Sequence, residues 1–200
     1  MTKIKICGLT RQCDIDAVNR EKPEYIGFVF AKSRRQITAT QAAALRKTLS
    51  PEITPVGVFV NETIENILSL VNNTVIDAIQ LHGSEDEQYI QKLKKLTNKP
   101  VIKAIGVENK GDVQKRSNTS ADYLLLDYKS GGTGQMFDWN LIGETQLPYF
   151  LAGGLTTENV EEAITKTTPY AVDVSSGVET NGTKDSEKIK DFIKKVRTGE

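Results

Sequence analysis

The chain has 200 residues, and its 26 Lys plus Arg are matched by 26 Asp plus Glu, leaving no formal net charge. That length suits one domain (1–200) with a sizeable core, and the even charge argues against nucleic acid or a membrane surface as partner, because both favour a basic excess. The opening MTKIKICGLT lacks the uninterrupted apolar core of a signal peptide, no run approaches a membrane span, and two cysteines make no disulfide framework, so a reduced, cytoplasmic protein is expected.

Short runs rich in β-branched residues alternate along the chain with longer stretches of helical spacing. A strand at Lys3–Cys7 is followed by a helix at 13–20, a strand at 25–30 by a helix at 40–49, and a strand at 55–60 by a helix at Ile64–Asn72. Further on come a strand at 78–82 with a helix at 85–96, a strand at 101–105 with a helix at 110–117, and a strand at 123–127 with a helix at 139–143. The last pairs are 149–152 with 157–165 and 171–175 with 184–196. Asn61, Ser84 and Thr156 stand where N-caps are expected, each just ahead of acidic first-turn residues. Asn61-Glu62-Thr63 and Asn181-Gly182-Thr183 match the glycosylation pattern and are set aside as chance, since no secretion signal accompanies them.

Strands alternating with helices imply parallel pairing through right-handed crossovers. Eight such units are the count of a single-domain α/β protein of the closed (β/α)8, or TIM, barrel class. The competing open doubly wound sheet would carry G-x-G-x-x-G after its first strand, where this chain has Cys7-Gly8-Leu9-Thr10.

A barrel of this class builds its active site at the C-terminal ends of its strands. Cys7 ends the first strand, His82 the fourth, Asp127 the sixth and Ser175-Ser176 the eighth. Cys7 reads either as a small buried hydrophobe or as a thiolate whose pKa is lowered by Lys5, which strand alternation puts on the same side. Asp127 reads either as an acceptor for loop amides or as a general acid raised by partial desolvation. His82, the one histidine of the chain, reads as a ligand contact rather than a proton-transfer group. Ala152-Gly153-Gly154-Leu155 and Asp173-Val174-Ser175-Ser176-Gly177 follow strands seven and eight, where barrels of this class hold phosphate on backbone amides. Ser130-Gly131-Gly132-Thr133-Gly134 reads as a lid, and the arginines of the loop Ser33-Arg34-Arg35 read either as solvated surface or, for one of them, as a carboxylate clamp at the mouth. No His or Cys stands at metal-ligand spacing, so no metal is called for.

These stretches closely resemble the phosphoribosylanthranilate isomerase family over nearly the whole chain. The likeness is carried by Lys5-Ile6-Cys7-Gly8-Leu9-Thr10, Gly27-Phe28-Val29-Phe30, Val56-Gly57-Val58-Phe59-Val60-Asn61 and Gln80-Leu81-His82-Gly83. It continues through Leu125-Leu126-Asp127, Gly131-Gly132-Thr133-Gly134 with Phe137-Asp138-Trp139, Gly153-Gly154-Leu155 and Asp173-Val174-Ser175-Ser176-Gly177-Val178-Glu179. The resemblance implies an Amadori rearrangement in tryptophan biosynthesis, from N-(5-phosphoribosyl)anthranilate to 1-(2-carboxyphenylamino)-1-deoxyribulose 5-phosphate. It further implies Asp127 as general acid, Cys7 as general base, Arg35 as partner of the anthranilate carboxylate, and Gly153, Gly154, Ser175, Ser176 and Gly177 around the phosphate. No cofactor is implied, the partner is a small phosphoribosyl substrate, and the assembly is a monomer or a homodimer.

Two rival readings are kept: another phosphosugar barrel, either an epimerase or an aldolase with Lys5 or Lys103 as Schiff-base amine, and a non-catalytic barrel that binds a phosphoribosyl ligand.

Overall fold

The computed structural model describes residues 1–129 and 136–199; the expected lid at 130–134 lies outside them. Eight parallel strands pair in chain order: β1 (Lys3–Cys7), β2 (Tyr25–Val29), β3 (Thr54–Phe59), β4 (Ala78–Leu81), β5 (Val101–Val107), β6 (Tyr123–Tyr128), β7 (Tyr149–Leu151) and β8 (Ala171–Val174). β8 returns to pair with β1, so the sheet closes into the expected (β/α)8 barrel.

Around it lie α1 (Gln12–Glu21), α2 (Ala39–Arg46), α3 (Ile64–Asn72), α4 (Glu87–Leu96), α5 (Asp112–Arg116), α6 (Val160–Thr167) and α7 (Ser186–Thr198). None is long and apolar enough to cross a membrane among the described residues. The expected helix at 139–143 is instead a 3₁₀ turn, Trp139–Leu141, opened by the Asp138 side chain and followed by Gly143 at φ 63°.

The caps fall elsewhere than expected, because short polar side chains find competing local partners. Thr63, not Asn61, caps α3, while Asn61 takes a left-handed φ of 51° and its Oδ1 accepts from the backbone amide and hydroxyl of Ser84. Asp86, not Ser84, caps α4 by accepting from the Tyr89 amide. α6 starts after Asn159, whose Oδ1 accepts from the amide of Thr156.

Strand alternation sorts the core into two clusters. Ile4, Ile6, Ile26, Phe28, Ile79, Leu81, Leu124, Leu126 and Val172 face the helices within the larger one. Val56, Ala78, Ile102, Leu125, Phe150 and Ala171 form a separate cluster inside the barrel. The N-terminal end is plugged by Tyr25, Tyr123 and Tyr170 packed around Phe150, with Lys3 Nζ donating to the Tyr170 hydroxyl at 2.8 Å. The opposite end is left for polar groups.

One element was not anticipated. After a 3₁₀ turn at Ser176–Val178, the chain makes an antiparallel hairpin of β9 (Glu179–Thr180) and β10 (Thr183–Lys184). Asn181 at φ 52° and Gly182 at φ 79° form its turn, the backbone that Asn-Gly favours in tight hairpins. The Asn-Gly-Thr match to a glycosylation pattern is therefore a hairpin signal.

Candidate active site

A cavity of about 260 Å³ opens at the C-terminal ends of the strands. Cys7, Arg35, His82, Asp127, Gly153, Gly154, Ser175 and Ser176 all line it. Of the expected residues only Gly177 does not, and it packs behind the loop after β7: a Cβ there would lie 2.0 Å from the Leu155 carbonyl oxygen.

Cys7 ends β1 opposite Gly27 of β2 in the register. A Cβ on Gly27 would sit 2.6 Å from Cys7 Sγ, so the missing side chain makes the space the thiol occupies. Two residues earlier on the same strand face, Lys5 is fully buried and pairs with its register neighbour Asp173, Nζ to Oδ2 at 2.9 Å. Burial works against the Lys5 ammonium, but Asp173 and the Cys7 sulfur outweigh it and raise its pKa. The expected lowering of the Cys7 pKa does not prevail. Burial pushes the thiol up, and the opposing pull of Lys5 only partly offsets it, with Asp173 adding a further upward push.

Asp127, near the end of β6, is buried, and its Oδ1 accepts from the amide of Tyr128 at 2.7 Å. Its Oδ2 lies 3.7 Å from His82 Nε2. His82 is held on its other side, with Nδ1 2.9 Å from Gln80 Nε2. Burial and the positive charges of Lys5 and Lys103 depress its pKa to about 4, so the ring is neutral at neutral pH and its contact with Asp127 is a dipolar one. The other Gln80 side-chain atom, Oε1, is buried without a partner, as is Asp173 Oδ1.

The two glycine loops meet at the cavity wall. Gly153 at φ 86° and Gly154 at φ 63° take the left-handed backbone that glycine tolerates. Across from them Ser176 and Gly177 open a 3₁₀ turn, whose first amides have no carbonyl within the turn to reach. Ser175 is differently employed: its hydroxyl donates to the Cys7 carbonyl at 3.0 Å and lies 3.2 Å from Lys184 Nζ. With its one proton committed there, Ser175 has its backbone amide to offer an anion.

Arg35 reaches the cavity, but its fork is not empty. Its Nε and Nη2 donate to Glu179 Oε1 and Oε2 at 2.6 and 3.0 Å. Arg34 reaches the same carboxylate at 2.7 Å from a far more exposed position. Lys184, also buried, donates to Glu179 Oε1 at 2.6 Å and to the Ser175 carbonyl at 2.8 Å. Burial alone would raise the Glu179 carboxyl; hydrogen bonds from Arg35 and Lys184 outweigh it and hold it below the ordinary carboxylate value.

Sequence reasoning gave no role to Glu179 or Lys184, nor to Glu85. Glu85, expected as the first residue of a helix, is buried ahead of α4 and accepts from the amides of Asn61 and Gly83 at 2.7 and 2.9 Å. It also binds Lys103 Nζ at 2.8 Å. Lys103 shares a strand face with Val101 and Ile105, which pack toward the helices, and Lys5 is a paired ammonium. Neither is set up as the neutral amine of a Schiff-base enzyme. Among the described residues no group of three or more His, Cys, Asp or Glu side chains is placed to hold a metal ion.

A family model described as N-(5'phosphoribosyl)anthranilate (PRA) isomerase matches residues 4–195. The N-(5'-phosphoribosyl)anthranilate isomerase of Endomicrobium trichonymphae is 48% identical over 202 residues, covering 99% of this chain and 100% of its own. A structure of phosphoribosyl anthranilate isomerase in complex with reduced 1-(o-carboxyphenylamino)-1-deoxyribulose 5-phosphate superposes with a TM-score of 0.86 at 38% identity, over 98% of this chain and 99% of that one. A structure of monomers generated from the dimeric enzyme of Thermotoga maritima gives 0.87 at 39% identity, with the same coverage of both chains.

Proposed function

The chain belongs to the N-(5'-phosphoribosyl)anthranilate isomerase family, and from that premise we propose how the mouth of its barrel does an isomerase's work. The substrate is N-(5-phosphoribosyl)anthranilate, and the product is 1-(2-carboxyphenylamino)-1-deoxyribulose 5-phosphate. One observation carries this reading: Cys7 and Asp127 line a single cavity together with Arg35 and both glycine loops.

The order of events follows from the chemistry. Asp127 donates a proton to the ribose ring oxygen as the bond from C1 to that oxygen breaks, leaving a C1 iminium. Only then is the C2 proton acidic, because the cation can take up the electron pair of the C2–H bond. The Cys7 thiolate removes that proton, and the resulting enolamine gains a proton at C1 and loses one from its C2 hydroxyl, giving the ketone. Acid therefore precedes base, and two separate groups serve the two steps.

Lys5 supports this division. Placed one pleat below Cys7 and kept charged by Asp173, it offers the thiolate a positive neighbour in a site where burial disfavours any anion. His82, neutral and steadied by Gln80, serves as a hydrogen-bonding contact for substrate beside Asp127. The loops at 153–154 and 175–177 hold the phosphate on backbone amides, and Arg35 holds the anthranilate carboxylate.

The test is direct. N-(5-phosphoribosyl)anthranilate generated in situ should lose its anthranilate fluorescence rapidly when the purified protein is added, and Cys7→Ala should abolish that loss. No decay with folded protein would overturn the isomerase reading and favour a phosphoribosyl-binding barrel without catalysis.

A further inference from the structure

The geometry points to Glu179 as the positioning residue that aims Arg35 at the substrate carboxylate and so sets preference for a carboxylated aryl group. This rests on the reading of Arg35 as that carboxylate's partner.

Arg35 is fixed from two sides. Its aliphatic stem lies over Gly8, where a Cβ would come within 2.5 Å of Arg35 Cδ. Its guanidinium is held by Glu179 through Nε and Nη2, a side-on fork that fixes the plane of the group and its rotation. A guanidinium has five N–H donors in a rigid plane. Two are taken by Glu179, so one proton each of Nη1 and Nη2 remains on the outer, end-on edge, with the other Nη1 proton on the third side. The Arg35 side chain is 14% exposed and Glu179 only 4%, so the buried carboxylate lies behind a guanidinium that borders the cavity.

Charge works in the same direction. Glu179 is one carboxylate shared by Arg34, Arg35 and Lys184, so the group keeps two net positive charges beside the cavity. The arrangement tethers the arginine without neutralising the cluster, which leaves it attractive to a second carboxylate. The hairpin of β9 and β10 is what brings Glu179 and Lys184 side by side: they are register partners across it. Arg11 anchors that hairpin from the other side, donating to the Lys184 carbonyl at 2.7 Å.

The experiment compares N-(5-phosphoribosyl)anthranilate with its aniline counterpart, which lacks the carboxylate. In Glu179→Gln, KM for the anthranilate substrate should rise by roughly 10-fold or more, the scale of a lost charge-assisted hydrogen bond. Its kcat and the KM of the aniline counterpart should stay near those of the unaltered protein. Arg35→Ala should show the same selective pattern, and the double variant should add little to it. Should Glu179→Gln fail to fold, Glu179→Asp keeps the charge with a shorter reach and should show a smaller, equally selective rise. An equal rise for both substrates would reduce Glu179 to a structural part, and a fall in KM for anthranilate would make it a competitor for the clamp; either overturns the proposal. If Arg35→Ala is selective and Glu179→Gln is not, only the positioning role falls. If Arg35→Ala is not selective, the carboxylate assignment of Arg35 falls with it.

Discussion

Gly27 of β2 gives Cys7 of β1 the space in which its thiol lies, since a Cβ at Gly27 would come within 2.6 Å of Sγ and 3.1 Å of the Cys7 Cα. The second distance involves backbone, so rotation of the thiol alone does not relieve the clash. Gly27→Ala is expected to displace Cys7 and lower kcat by about 10²-fold, the cost of misplacing a reacting group by an ångström or so. The overpacking should also destabilise the barrel by about 1–3 kcal/mol. Steady-state kinetics and a urea midpoint measure both. An unchanged kcat would show that the base tolerates displacement or is not Cys7.

Lys5 and Asp173 make a buried pair with two separable effects. Lys5→Met leaves Asp173 buried without its cation and should cost about 3–5 kcal/mol, whereas Lys5→Met with Asp173→Asn removes both charges and should recover most of that loss. Urea unfolding distinguishes the two variants. Lys5→Met should also shift the pH dependence of Cys7 alkylation by iodoacetamide to higher pH, because the thiolate loses a positive neighbour. An unshifted profile would remove Lys5 from the chemistry.

Asp127→Asn keeps the shape of the side chain and its bond to the Tyr128 amide but has no acidic proton to give. A fall in kcat of at least about 10²-fold is expected, in the range of positioned proton transfer, with unfolding by urea little altered. Retention of full kcat would pass the ring-opening step to another group.

His82 should make stability depend on pH. Its folded pKa of about 4 lies below the ordinary 6.5, so the unfolded chain takes up a proton first. The stability supplied by the neutral ring is complete above pH 6.5 and declines as pH falls from 6.5 toward 4, by about 3 kcal/mol in all. Between pH 7 and 4.5, unaltered protein should therefore lose about 2–3 kcal/mol more than His82→Asn. Equal losses in the two would mean that His82 titrates as it would in water.

The barrel was legible because short apolar runs alternate with longer helical stretches eight times along the chain, and the site because the strand ends carry Cys7, His82, Asp127 and Ser175. What escaped notice depended on partners far away in the chain. Lys5 faces inward by simple alternation, yet only the pairing of β1 with β8 sets it opposite Asp173. Thr63 and Asp86 became caps because Asn61 and Ser84 bind each other across neighbouring loops. The hairpin that presents Glu179 and Lys184 has strands of two residues, too short for a periodic signal, and its one local mark was Asn181-Gly182.

The closure of β8 onto β1 also sets the order in which a new chain gains its chemistry. Lys5 and Cys7 precede Asp173, Ser175, Glu179 and Lys184 by more than 160 residues in the order of synthesis. Until those emerge, Lys5 has no counter-ion, the Cys7 carbonyl lacks the Ser175 hydroxyl, and the edges of β1 and β7 stand open to other strands. A nascent chain is therefore an unfinished ring, most adhesive just before it is complete, and α7, packing on α1 as it arrives, is the segment that seals it.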